Sequence, residues 1–444
     1  MRAHLVIIVL FYIVFAMTTL IGEIKEIKRV KTLKITTLCK LMYILLICIM
    51  PTIIYIEYLV ENNDTYSIRY EDKYIWTFWM NLFLTIIAYV MFGFGTKIKQ
   101  RKCEYKRNKG NEKIELVIVI YTIISCISLW KWASGFGGIN ALIEKANSIR
   151  AGFVVSSGEA FFKHLVPLAM LSSFLSFYKI FIEKNQKKSI KLLHGLMFMV
   201  SLCISLIFIL ANDGRMLAGI YILIFFLLIL KKQYENNKIN FGKMSVKIAI
   251  IGILTIIVIL NSDTIFKRIK GDNNYIEKNN NDFFQTISSE FSFIVTGNQN
   301  ALIFLNENEH QYMLKNDIIN GLFAWFPTKL KPLTYIDVWD YNTMLIDSKI
   351  HGQSPTTIVA QSIYDLGLLG IILIPMLYGY VVKKIQNYIE SYEENVFFNT
   401  LYIILGFYLA KGVAYFSLYN IMMNIFFIVV GWIIYCLMYK IKLK

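Results

Sequence analysis

Charge is scarce in this chain: 17% of its 444 residues are charged, against 56% hydrophobic. No soluble core needs that much apolar residue over such a length, so the composition excludes an ordinary soluble domain. The six cysteines (Cys39, Cys48, Cys103, Cys126, Cys203, Cys436) contain no Cys-x-x-Cys pair and fall in apolar runs or basic loops. That excludes a disulfide framework or a thiolate zinc site. The first apolar run, Leu5 to Ile21, lacks a small-residue cleavage site and is followed by further runs. It reads as a retained helix and not as a cleaved signal peptide. Neither loop lengths nor Gly and Pro positions show an inverted or parallel repeat, which weighs against a secondary transporter.

What the chain does have is a series of runs near the roughly 20 residues that cross the hydrocarbon. They lie near 5 to 21, 37 to 57, 74 to 95, 114 to 132, 160 to 182, 192 to 211, 215 to 230, 246 to 262, 356 to 381, 397 to 414 and 418 to 439. The expectation is an all-α, polytopic membrane bundle of about eleven transmembrane helices. Its chain order has three parts: residues 1–261 with helices one to eight, a large extracytoplasmic loop at 262–354, and residues 355–444 with helices nine to eleven. The formal charge of +16 does not point to nucleic acid, because most Lys and Arg sit in short loops, where they orient helices. The loop after the first run holds Lys25, Lys28, Arg29, Lys31 and Lys34. The next mixes Arg69 and Lys73 with Glu57, Glu61, Asp64, Glu71 and Asp72, and the third, Lys97 to Lys113, is again basic. Loops at 184 to 191 and 231 to 247 are basic too, as is the C-terminus with Lys440, Lys442 and Lys444. Placing them in the cytoplasm puts the N-terminus outside, the C-terminus inside and the long loop on the outer face.

That loop, from about Asn261 to Ser354, far exceeds the ~15 residues of an ordinary connection. Trp325, Trp339 and a series of tyrosines make it read as a folded cap over a membrane site. Four stretches near the outer side carry candidate chemistry. Gly135-Phe136-Gly137-Gly138-Ile139 turns the chain before an amphipathic stretch ending at Arg150, either a headgroup arginine or a ligand contact. Asn212-Asp213-Gly214-Arg215 is a short turn between apolar helices; Asp213 serves as a helix cap or as a partner of Arg215, whose guanidinium suits a diphosphate. Ser354-Pro355 has the form of a helix start, which puts His351, Gly352 and Gln353 before a helix N-terminus. There the field favours a neutral imidazole able to accept a proton. Gln361 and Asp365, four apart, share one helix face. A carboxylate at that depth costs on the order of 3 kcal/mol, so Asp365 must be paired, hydrated or protonated, with Lys411 or Arg215 the candidate partners. His164, beside Lys163, reads as a packing residue.

Taken together these residues resemble the Wzy-type oligosaccharide repeat unit polymerases of O-antigen and capsule assembly. The likeness rests on Gly137-Gly138-Ile139 followed by Arg150; on the turn Asp213-Gly214-Arg215; on Phe326-Pro327-Thr328-Lys329-Leu330-Lys331-Pro332; and on Ser354-Pro355 followed by Gln361, Asp365, Gly367 and Gly370. The chain departs from the family at Thr328, where arginine is common, so an anion contact there falls to Lys329 or Lys331. It departs again at Gln361 and Asp365, where glutamate and asparagine are common; a carboxylate base at position 361 is thereby excluded, and the role either moves to Asp365 or His351 or is unnecessary.

The resemblance implies a metal-independent membrane glycosyltransferase without a cofactor. Its substrates are an undecaprenyl-pyrophosphate-linked oligosaccharide donor and acceptor, and its setting is the lipid bilayer. It leaves room for a chain-length regulator and a flippase as partners, and has no use for nucleic acid. On this reading Arg215 and Arg150 stabilise the leaving pyrophosphate and His351 is the general base. Gln353, Asp213, Lys329, Lys331 and Asp365 bind substrate, while aromatic residues of the cap stack on sugar faces. The competing expectations are a glycan ligase using the same donor, a lipid-linked oligosaccharide flippase or exporter, and a metal-dependent enzyme built on Glu71-Asp72.

Overall fold

A computed structural model of the chain describes residues 1–30, 33–61, 67–100, 113–150, 154, 159–183, 188–212, 215–235, 283–306, 312–326, 336–346, 353–392 and 395–440. Among them every regular element is helical and none is a strand. Eight described helices are long and apolar enough to cross a membrane: Arg2–Val30, Ile35–Glu61, Asp72–Lys97, Ile114–Ser134, Phe161–Ile182, Lys188–Ala211, Leu368–Glu390 and Leu418–Tyr439. The run at 397 to 414 forms the shorter Val396–Gly412 helix. That at 215 to 230 forms Arg215–Glu235, and 246 to 262 lies outside the described residues. The protein is a polytopic helical membrane protein.

Packing divides the chain into two compact units. The first gathers Met1–Cys103, Asn279–Tyr388 and Gly406–Asn424; the second gathers Glu104–Lys278, Ile389–Leu405 and Ile425–Lys444. These units cut across the chain-order division read from hydropathy.

In the first unit two apolar helices cross where both carry glycine. A Cβ on Gly95 would run into the backbone carbonyl of Met376, and one on Gly379 into that of Phe92. Such close approach is a common use of small residues in membrane bundles. The stretch expected to form one large loop contributes three helices here: Phe283–Asn306, Leu314–Leu322 and Val338–Ile346. The longest, Phe283–Asn306, packs along Ile35–Glu61, Asp72–Lys97 and Ile358–Leu366, and Ile294 through Leu302 are buried. Apolar residues flank Asn298-Gln299-Asn300 on both sides, so the helix can bury its carboxamides only by finding partners for them.

The run expected to be one helix from 356 to 381 is two, and this corrects the hydropathy reading. Ile358–Leu366 ends at Gly367, where φ is 63° and ψ is −145°, a conformation that only glycine adopts readily. A Cβ there would also strike the Tyr312 ring. Leu368–Glu390 then begins the apolar span. The expected helix start at Ser354-Pro355 moves as well: residues 353–357 are not helical, and Thr357 is the N-cap, its hydroxyl accepting from Ala360 N at 3.1 Å. A β-region hydroxyl residue satisfies a free helix-terminal N–H in the usual way.

In the second unit the turn after Ile114–Ser134 follows the glycine signal. Gly137 and Gly138 have φ of 98° and 113°, and Gly138 N donates to Ala133 O at 2.9 Å, closing the helix end. Two short helices, Ile139–Glu144 and Ala146–Arg150, follow.

Candidate functional site

The expected site residues fall in three groups. His351, Asp213, Lys329 and Lys331 lie outside the described residues. Arg150 closes the Ala146–Arg150 helix and Arg215 opens Arg215–Glu235; the side chains of both also lie outside the description. Gln353 and Asp365 are described, the first exposed and the second buried.

Asp365 occupies the polar core of the first unit. The i,i+4 spacing acts as expected: Gln361 Nε2 donates to both carboxylate oxygens, at 3.2 and 3.3 Å. Its partner among the described side chains is therefore Gln361 and not Lys411, whose ammonium lies 4.9 Å from the centre of the Tyr415 ring. Burial holds the Asp365 carboxyl well above the usual carboxylate range, and the nearby charge of Asp317 pushes the same way. Asp317 is itself pushed up to about 7, by burial first. Its carboxylate accepts Leu418 N at 3.0 and 3.2 Å, meeting the first N–H of the last helix, where negative charge is favoured.

The same core assigns Trp339 a role other than sugar stacking, a correction to the expectation from sequence. Its indole N–H donates to Thr356 Oγ1 at 2.9 Å and to Phe416 O at 3.2 Å, and only 9% of the residue is exposed. A buried indole with a satisfied N–H is a packing and anchoring group. Trp325 likewise spends its N–H on Met422 O at 2.8 Å.

The three consecutive carboxamides of Phe283–Asn306 organise the rest. Asn298 Nδ2 donates to Asn81 Oδ1 at 2.8 Å and its Oδ1 accepts from the Thr357 hydroxyl. Gln299 pairs with one peptide unit in both directions: Arg69 N donates to Gln299 Oε1 at 2.8 Å, and Gln299 Nε2 donates to Arg69 O at 3.0 Å. The same Nε2 reaches Thr77 Oγ1 at 3.1 Å. Asn300 Nδ2 donates to Asn342 Oδ1 at 3.1 Å, and Asn342 Nδ2 continues to the carbonyl and hydroxyl of Ser354, both at 3.2 Å. Bonds of this kind fix the loop segments around 69 and 354 against one rigid helix.

The segment around 69 borders a cavity of about 460 Å³, lined by Tyr58, Arg69, Tyr70 and Glu71, by Asn300, and by Leu345 and Ile346. Its size falls within the range of roughly 300–1,000 Å³ for small-molecule sites. Tyr58 and Tyr70 stack face to face, with ring centroids 3.6 Å apart and planes 4° apart; Tyr70, which also stacks on Phe78, is buried, so half-buried Tyr58 supplies the accessible aromatic surface. Ser67, also lining the cavity, holds a left-handed backbone with φ of 57°, uncommon outside glycine and a feature that clusters at functional sites.

Arg69, Gln299 and Asn300 are the residues the sequence reading missed. Arg69 stood in a mixed-charge loop, and the amides were assigned to a long loop. The available signal was three adjacent carboxamides inside a run apolar on both sides, Phe293 to Leu305. Glu71 and Asp72, weighed as metal ligands, are engaged otherwise: Lys73 Nζ lies 2.6 Å from Glu71, and the N-terminal ammonium 3.0 Å from Asp72. His164 keeps the packing role expected of it, edge-on to Phe426 at 6.1 Å.

No protein-family model matches the chain, and neither a curated protein nor a solved structure matches it.

Proposed function

We propose that this protein is a membrane glycosyltransferase that joins undecaprenyl-pyrophosphate-linked oligosaccharide repeat units into a surface polysaccharide, a capsule or O-antigen. The reaction takes place at the outer face of the cytoplasmic membrane, with the N-terminus outside and the C-terminus in the cytoplasm. The observation that carries the reading most is the cavity beside Arg69. A tyrosine ring, a carboxamide and a guanidinium in one polar recess of a membrane helix bundle are groups that suit sugar rings, hydroxyls and anions. The order of short motifs along the sequence supports the same reading.

In the reaction an acceptor sugar hydroxyl attacks the anomeric carbon of the donor. A new glycosidic C–O bond forms, the bond to the diphosphate breaks, and the hydroxyl proton leaves. Undecaprenyl pyrophosphate departs with the bonding electrons. Arg215 and Arg150 are assigned to charge on the leaving diphosphate, and His351 to the proton. Gln353, exposed at the start of the segment that leads to Thr357, orients sugar hydroxyls. Lys329 and Lys331 add cationic contacts. Asp365, bonded by Gln361, is assigned to substrate binding. The chemistry requires no metal, so activity should persist in a chelator.

Deletion of the gene tests the reading. Single repeat units should accumulate on the carrier lipid in place of polymer. A full ladder of surface glycan, or finished polymer stranded on the lipid as a missing ligase would leave it, overturns it. At normal membrane abundance Arg215→Ala should shorten the ladder to single units, and His351→Ala should lower transfer by about 10²-fold or more in vitro. Wild-type behaviour of either variant removes that residue from its role.

A further inference from the structure

The cavity beside Arg69 is asymmetric in charge. Two ionisable groups of opposite sign line it, Arg69 and Glu71. Glu71 is engaged by the Lys73 ammonium at 2.6 Å. Among the described residues no carboxylate pairs with Arg69, whose guanidinium carbon lies 5.5 Å from the centre of the Tyr74 ring. Stacking of this kind leaves the in-plane N–H groups of a guanidinium available for a bidentate acceptor. Arg69 is half-buried, so an anion meeting it sheds much of the solvent that screens exposed charges.

The backbone at Arg69 is held with unusual care for a loop. Gln299, 3% exposed, mimics a neighbouring strand by accepting from its N–H and donating to its C=O, at 2.8 and 3.0 Å. A bond to Thr77 Oγ1 at 3.1 Å fixes the orientation of the amide itself. The next residue on the helix, Asn300, lines the same cavity. One turn of a buried helix therefore holds the Arg69 backbone and places Asn300 on the cavity lining.

We infer that this cavity binds an anionic saccharide, with Arg69 gripping a carboxylate or phosphate oxygen, the Tyr58 ring, backed by Tyr70, against the sugar, and Gln299 as the positioning residue for Arg69. The inference rests on the proposed glycan reaction only for the saccharide; the anion preference follows from the cavity alone. Two sources supply such a group: an acidic sugar within the repeat unit, or the diphosphate that links it to the lipid.

Equilibrium binding to the purified full-length protein in nanodiscs separates these, using three probes: a glucuronic-acid-containing tetrasaccharide, its methyl ester, and geranyl pyrophosphate. Wild type should bind at least one anionic probe on the order of tenfold more tightly than the ester. Arg69→Ala should erase that preference and leave ester binding unchanged, while Arg69→Lys retains part of it. Whichever anionic probe loses affinity names the source. Gln299→Ala should lower the acid-to-ester ratio with Arg69 still present, and Gln299→Glu, which cannot donate to Arg69 O when ionised, should do the same. A loss of stability alone would leave the ratio unmoved, which sinks the positioning role. Equal wild-type affinity for all three probes, or an Arg69→Ala loss shared equally by acid and ester, overturns the anion site. These outcomes do not depend on turnover, so a failure here is distinct from a deletion strain that still makes polymer.

Discussion

Within the second unit the buried polar groups are for the most part hydroxyls that bond close to home. Thr122, Ser125 and Ser205 donate to carbonyls four residues back, at 2.9, 2.7 and 2.7 Å, and Ser173 to one three back at 2.8 Å. Where they reach across, they meet other hydroxyls or backbone carbonyls: Thr122 and Ser172 are 2.7 Å apart, Tyr221 donates to Ser173 at 2.6 Å, and Ser172 donates to Ile118 O at 3.2 Å. The first unit instead buries carboxamides whose partners stand 217 and 230 positions away, Asn81 for Asn298 and Arg69 for Gln299. The difference follows from the inventory of each group. A hydroxyl has one proton to place and its own helix supplies a carbonyl. A carboxamide has two donor protons and two acceptor lone pairs, which a helix interior cannot satisfy, so its burial specifies tertiary neighbours. Hydroxyls in one unit stitch helices; carboxamides in the other position loops around a cavity.

The most damaging way to probe this contrast is Gln299→Leu. It strands the Arg69 N–H and C=O, each losing the partner that Gln299 supplied, and should cost about 2–4 kcal/mol, read as a lowered thermal midpoint in detergent. Loss of stability no greater than that of a hydroxyl deletion in the second unit would erase the distinction.

Asp317 should give an intermediate effect with a pH signature. Asp317→Ala removes the acceptor for Leu418 N and should cost about 1 kcal/mol. The pH dependence of the wild type has a definite sign. The folded carboxyl, near 7, lies above the unfolded value of about 3.9, so the native state holds the proton more tightly. That stabilisation is complete below about pH 4 and is lost as pH rises through about 7. The thermal midpoint should therefore fall between pH 5 and 8, and fall less in Asp317→Asn, which keeps an acceptor without the charge. A midpoint that rises over this interval would contradict the assignment.

Ser205→Ala should have the smallest effect, within about 0.5 kcal/mol, because its hydroxyl donates to Ser201 O, a carbonyl already engaged in the helix. Together the three variants rank burial of an amide above a helix-terminal carboxylate, and both above a hydroxyl bonded within its own helix.

How much was legible in the sequence depends on the range of the interaction involved. Gln361 and Asp365 met as their spacing required, because four residues of helix bring two side chains together whatever surrounds them. The Gly137-Gly138 turn was legible for a similar reason, since a positive φ is a property of the residue itself. The break at Gly367 was not, although the glycine was in plain view: glycine within an apolar run reads equally as a packing contact, as Gly379 in fact is. Trp339 misled in the same way, since an indole in a polar stretch reads as a ligand surface until its N–H is seen bonded to Thr356. Arg69 was hidden among the acidic residues of its loop, and its partner lay in a stretch read as loop.

The amino-acid order by itself determined that this protein is built of apolar helices fit for a membrane, because hydropathy and helix periodicity act over one or two turns and need no partner. It also determined the local geometry at the glycine turn and along the Gln361 face. Only the tertiary structure decided which polar residues share a core, that three neighbouring carboxamides lie buried against Asn81, Arg69 and Asn342, and that an arginine borders a cavity held by a glutamine. Those outcomes depend on the registers of several helices at once, and a buried amide accepts whichever partner the packing brings within about 3 Å.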